Sequence, residues 1–155
     1  MNDIECNKIS EAVYNERTIK DTVVVISCSN KKKNYECQAG ELYSESVLFK
    51  LTVNYVIKHL DSNFVILSSK YGIILPTKIL KPYNLYIKDL DRGARAKLVY
   101  NIYFNLAPFK KIVIFGGKDY VNIIKQACPS AEIINPLEGL TIGNRLHLLK
   151  IWSNK

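Results

Sequence analysis

Three short runs, Thr22 to Ser27 (TVVVIS), Phe64 to Ser68 (FVILS) and Lys111 to Phe115 (KIVIF), are rich in β-branched and aliphatic residues and lack polar alternation. A strand with one wet face alternates apolar with polar residues, so unbroken apolar runs mark strands buried on both faces. Glu132 to Ile134 is a fourth, weaker run. Between the runs lie stretches with helical spacing: Ser46 to His59 with Leu48, Leu51 and Tyr55 on one stripe, Asp89 to Leu106 with Ala94, Leu98, Ile102 and Leu106 on another, and Lys118 to Ala127. Strands separated by helices predict a central, mainly parallel sheet covered on both sides and linked by right-handed crossovers. The expected fold is therefore α/β, one three-layer domain over residues 22–155. A helical extension, residues 1–21 with a helix over about Asp3 to Glu16, is expected on its outside. With 155 residues, 48% of them hydrophobic, the chain can fill such a core and is not a disordered linker.

The longest apolar runs, such as Val23 to Ile26 and Ile112 to Phe115, are far shorter than the ~20 residues of a membrane span. Met1 to Cys6 carries acids where a signal peptide carries bases. A cytoplasmic protein with no membrane association is expected. The four cysteines, Cys6, Cys28, Cys37 and Cys128, show no Cys-x-x-Cys spacing, and two histidines do not complete an ordinary zinc site. Reduced thiols and no structural metal are the reading. The net charge is +8, and residues 70–118 hold ten Lys/Arg against only Asp89 and Asp91. A basic segment attracts polyanions; an A/T-rich coding sequence, which over-produces lysine, accounts for it equally well.

The residues just after each strand carry the functional signal. The segments are Cys28-Ser29-Asn30-Lys31-Lys32-Lys33, then Ser68-Ser69-Lys70-Tyr71-Gly72, then Gly116-Gly117-Lys118-Asp119-Tyr120, then Asn135-Pro136-Leu137-Glu138-Gly139. In an open parallel sheet the carboxyl ends of the strands form the ligand crevice, so four distant loops should converge on one place. Cys28, beside three lysines, is either a nucleophile with a lowered pKa or a small residue of the pocket floor. One of Lys31, Lys32 and Lys33 facing the crevice would pair with a phosphate, and spacing does not rank Lys32 against Lys33. Gly116 and Gly117 open a helix and let backbone amides approach an anion. The G-x-G-x-x-G and Walker A patterns are absent, which disfavours nucleotide-cofactor redox chemistry and ATP hydrolysis, and no cofactor is expected. Tyr43, Tyr71, Tyr83 and Tyr120 lie in or just after loops, where a tyrosine can stack a base.

Taken together, Ser27-Cys28-Ser29-Asn30-Lys31-Lys32, Leu42-Tyr43, Leu67-Ser68-Ser69-Lys70-Tyr71-Gly72, Pro82-Tyr83, Gly116-Gly117-Lys118-Asp119-Tyr120 and Pro136-Leu137-Glu138-Gly139-Leu140-x-Ile142-Gly143 resemble a family of small bacterial and phage domains of unknown function. Tyr71 stands where many members have histidine. More distantly, the order of loops is similar to that of the uracil-DNA glycosylase superfamily and of YaaA-like proteins. That resemblance implies a four-stranded sheet of order 2-1-3-4 and a pocket for a nucleobase or nucleotide. Asn30 stands where such glycosylases use an aspartate to position water, and Asn135 where a histidine is expected.

The leading expectation is a nucleobase- or nucleotide-pocket protein, including enzymes that act on a base or an N-glycosidic bond in nucleic acid or its precursors. Cys28, Asn30 and Lys70 are its candidate catalytic residues. The candidate ligand contacts are Ser27, Ser29, Lys32, Tyr43, Ser68, Tyr71, Gly72, Gly116, Gly117, Tyr120, Pro136 and Gly139. One alternative is a nonenzymatic DNA- or RNA-binding module that uses Lys78, Lys81, Lys88, Arg92 and Arg95 on an open face; another is a protein-interaction adaptor.

Overall fold

The computed structural model describes residues 21–60 and 63–154. The expected helix from Asp3 to Glu16 lies outside the described residues. Strands β1 (Thr22–Ser27), β3 (Val65–Ser68), β6 (Lys111–Phe115) and β7 (Glu132–Ile134) run parallel, with β1 paired to β3 on one side and to β6 on the other. The sheet has five strands: with β4 (Gly72–Ile74), the order is β4-β3-β1-β6-β7. This corrects the expected four. The addition is β4, which returns antiparallel along β3 and caps the edge of the sheet. Three residues are too few for periodicity to announce a strand, and Gly72 at φ +76 supplies the reversal that starts it. A second, two-residue antiparallel pair, β2 (Cys37–Gln38) with β5 (Ile79–Leu80), ties the loop after β1 to the segment after β4.

Side chains along β1 alternate between two cores. Val23 and Val25 join one cluster with Val65, Leu67, Ile112 and Ile114, while Val24 and Ile26 join another with Ile66, Phe64 and Phe115. Strands of this kind read as continuous apolar runs because both faces are dry. The first cluster is covered by helices α3 (Arg92–Leu106) and α4 (Lys118–Ala127), which contribute Leu98, Ile102, Leu106, Val121 and Ile124. The second is covered by α1 (Ala39–Leu42), α2 (Val47–His59) and α5 (Ile142–Ser153), through Leu42, Phe49, Val56 and Leu149. The deepest stripe of α2 is Phe49, Thr52 and Val56; the expected Leu48, Leu51 and Tyr55 flank it at the core margin.

Three of the helices start at a side-chain cap. Ser46 accepts from the Phe49 amide ahead of α2, Asp91 from the Ala94 amide ahead of α3, and Thr141 from the Asn144 amide ahead of α5. The Asp91 cap explains why α3 starts at Arg92 rather than Asp89: Ile87–Asp89 forms a separate 3-10 turn. Among the described residues, no helix is long and apolar enough to cross a membrane.

Candidate functional site

Four parallel strands point their carboxyl ends to one edge, and three contacts hold the loops together there. The Cys28 amide donates to the Leu67 carbonyl at 2.9 Å, joining the first loop to the end of β3. The Cys28 thiol lies 3.2 Å from the Tyr120 hydroxyl, joining it to α4. Arg145, from α5, donates through Nη1 to the Gly116 carbonyl at 3.3 Å and through Nε to the Leu140 carbonyl at 3.0 Å, joining the last loop to the third. A small cavity of about 60 Å³ opens between them, lined by Ser27, Cys28, Ser29, Gly116, Gly117, Leu137 and Arg145 above an apolar floor of Ile26, Phe49 and Phe115. No carboxylate or imidazole is among its lining residues.

Beside this cavity stands a cluster of phenols and ammonium groups. The Tyr43 hydroxyl lies 2.6 Å from that of Tyr83, which lies 2.7 Å from Ser68 Oγ. Tyr71 meets Tyr83 edge-on with ring centroids 5.4 Å apart. The Lys32 ammonium sits 4.4 Å from the Tyr83 ring centre, and the Lys70 ammonium 5.4 Å from that of Tyr71 and 5.9 Å from that of Tyr83. Such distances are within the range of a cation over a ring quadrupole. Burial pushes the Tyr43, Tyr83 and Tyr120 phenols well above their ordinary value, since a phenolate there would lose its hydration. These tyrosines therefore act as neutral hydrogen-bonding groups, not as bases. Burial also lowers the Lys32 ammonium, partly offset by the neighbouring Cys28.

Of the three consecutive lysines, Lys32 is the one carried to the cluster; Lys33 pairs with Glu45 at 2.8 Å and Lys31 is exposed. Lys70 is exposed with its ammonium over the two rings, while Glu41 is engaged by the Tyr35 hydroxyl. Ser27, Ser29, Cys28, Gly116 and Gly117 meet at the cavity, and Tyr120 closes on Cys28.

Several expected contacts turn inward instead. Tyr43 is 0% exposed, packed on Phe49, and has no free face on which to stack a ligand. Ser68, also 0% exposed, accepts from the Lys70 and Tyr71 amides and so folds its own loop. Gly72 is buried, and an added Cβ there would collide with the Asn101 side chain, whose Oδ1 accepts from the Ile73 amide at 2.9 Å. Asn30 is exposed and is not among the cavity residues; its carbonyl accepts from Lys32. In the last loop Leu137, rather than Pro136, reaches the cavity, Gly139 is exposed at φ +75, and Asn135 Oδ1 accepts from the Leu137 amide as a turn residue.

Sequence reasoning left Tyr83 out of the candidate site and overlooked Arg145. Tyr83 had a signal, its place in a Pro-Tyr pair within a loop, whereas Arg145 sits on a helix with nothing local to distinguish it. The basic segment does not form one face. Lys110 and Lys111 stand at the amino end of β6, paired with Asp21 and Glu132, at the edge opposite the one where Gly116 ends the strand. Arg95 is engaged by Gln126.

No curated protein and no solved structure matches the chain. A family model does match, over residues 23–151, which spans β1 through nearly all of α5 and every loop of the crevice. The chain accordingly belongs to a family of unknown function, DUF6884.

Proposed function

We propose that the crevice at the carboxyl edge of the sheet binds a nucleobase- or nucleotide-like molecule. The observation that carries this reading is the juxtaposition of the half-buried Tyr71 ring and two ammonium groups, Lys32 and Lys70, beside a cavity bordered by glycines and hydroxyls. A flat aromatic face takes a base by stacking, and sequence-tolerant stacking of this kind contributes about 1–3 kcal/mol per base. The lysines and the Gly116-Gly117 backbone match the negative charge that a nucleotide carries. The loop order, which resembles that of the uracil-DNA glycosylase superfamily and YaaA-like proteins, supports the same ligand class. The absence of a carboxylate or imidazole from the cavity lining favours binding over acid–base hydrolysis by side chains of that lining.

Calorimetric titration with nucleobases, nucleosides and nucleotides tests the reading. Binding by at least one class is expected, weakened about tenfold or more by Tyr71→Ala and largely retained by Tyr71→Phe. No heat and no thermal stabilisation with any of them at millimolar concentration would refute it.

A further inference from the structure

We infer that the cavity between Ser27, Gly117 and Arg145 is a subsite for a phosphate group, so that the ligand of the crevice is a phosphorylated one. The inference rests on the proposed base pocket and adds the group that the ligand carries and the way round in which it lies. Size comes first. The cavity, at about 60 Å³, is small against the about 300–1,000 Å³ of a pocket that takes a whole drug-sized ligand. Only one compact group can enter, and the remainder must lie outside, toward the phenols and lysines.

Chemistry selects which group. The Arg145 guanidinium is held by the Gly116 and Leu140 carbonyls through Nη1 and Nε, which leaves Nη2 without a protein partner among the described residues. A planar fork fixed in this way meets an oxyanion with little further loss of side-chain freedom. The Ser27 hydroxyl, also at the cavity, has no hydrogen-bond partner among the described residues and packs against Gly116, where an added Cβ would come within 2.9 Å of it. Gly117 begins α4 with no side-chain cap and open space where its Cβ would be, so an anion can approach the backbone there unobstructed. All of these groups donate, and no carboxylate lines the cavity to repel an anion. Ser29 lines the cavity and its hydroxyl donates to the Tyr43 carbonyl at 3.4 Å, so the cavity adjoins the phenol cluster on that side, and a base bound to the same molecule lies toward Tyr71.

The test compares inorganic phosphate, 5′-mononucleotides and their parent nucleosides by titration calorimetry on the full chain, with Arg145→Gln and Ser27→Ala. The mononucleotide should bind at least tenfold more tightly than its nucleoside, and inorganic phosphate should compete with it. Arg145→Gln should bring that preference close to one without weakening the nucleoside, and Ser27→Ala should lower it severalfold. Because Arg145 also bonds two carbonyls, melting curves accompany each variant; if Arg145→Gln unfolds, Ser27→Ala decides. Equal affinity of wild type for nucleoside and mononucleotide, or a preference untouched by the variants, overturns the subsite while leaving the base pocket standing. Phosphate binding that Arg145→Gln removes, with no binding of any nucleoside or mononucleotide, upholds the subsite and overturns the base pocket; no binding of any probe overturns both.

Discussion

The Tyr43 hydroxyl lies 2.6 Å from the Tyr83 hydroxyl, and this bond joins the helix-bearing first loop to the segment beyond β5 across 40 residues of chain. Tyr83 sits in the middle of a chain of three hydroxyls, because its other neighbour is the fully buried Ser68 at 2.7 Å. Tyr83→Phe breaks both bonds and leaves a buried phenol short of a partner, a loss of about 1–3 kcal/mol. Tyr43→Phe leaves the Tyr83 to Ser68 bond intact and should cost about 0.5–1.5 kcal/mol. The double variant should lose less than the sum, since both changes remove the same bond. Urea denaturation of the three proteins measures this, and strict additivity would contradict it.

Adjacent glycines should behave differently. At Gly116 a Cβ would press on Ser27, at 2.9 Å from Oγ and 3.0 Å from Cβ, so Gly116→Ala should destabilise by about 1–3 kcal/mol. At Gly117 the Cβ position is open and the backbone is ordinary at φ −71, so Gly117→Ala should cost no more than about 1 kcal/mol, the difference between glycine and alanine at a helix start. Its effect should instead be on ligand affinity, because the added methyl occupies the mouth of the cavity. A Gly117→Ala protein that binds as wild type does would show that nothing approaches this backbone.

Lys70 separates binding from folding. Lys70 is exposed, and among the described residues its ammonium contacts only ring faces, an arrangement worth about 0.5–1 kcal/mol at an exposed site. Lys70→Ala should therefore barely move the melting temperature yet weaken ligand binding at the Tyr71 face. A large drop in melting temperature would mean instead that the lysine is a structural strut.

The pH dependence turns on Lys32, whose ammonium is lowered by burial. Between its folded-state value and the ordinary 10.5, the unfolded chain holds the extra proton, so raising pH through that window favours the folded state. Anion affinity should move the opposite way, falling over the same window as the charge is lost. Titrations of wild type and Lys32→Met from pH 7 to 10 should show the fall only in wild type; an identical profile would take Lys32 out of the site.

Thiol chemistry offers a last check. Cys28, Cys37 and Cys128 are free and buried, and burial pushes the Cys128 thiol up, away from its reactive thiolate form. A thiol reagent should find all four cysteines in denaturant without reductant, while in the native protein these three react slowly. A thiol pair missing from the denatured count would contradict the expectation of reduced cysteines.

The four parallel strands, three of the helices between them and the edge at which the loops meet were legible in the sequence. Apolar runs at strand length and apolar spacing at helical length report which surfaces leave water, and that is a property of each segment taken alone. Val23 to Ile26 reads as a strand dry on both faces wherever it is placed. The site depended on something else. Lys32 rather than Lys33 reaches the phenols because Lys33 finds Glu45. Tyr43 is lost as a stacking face because Phe49 and Tyr83 enclose it. Gly72 is a glycine because Asn101, from a helix further along the chain, fills the space its side chain would need. Arg145 belongs to the crevice because α5 brings it to the Gly116 carbonyl. Each of these outcomes was decided by the tertiary structure, since a side chain's partner across loops is chosen by distance and direction in the folded chain, which no local spacing encodes.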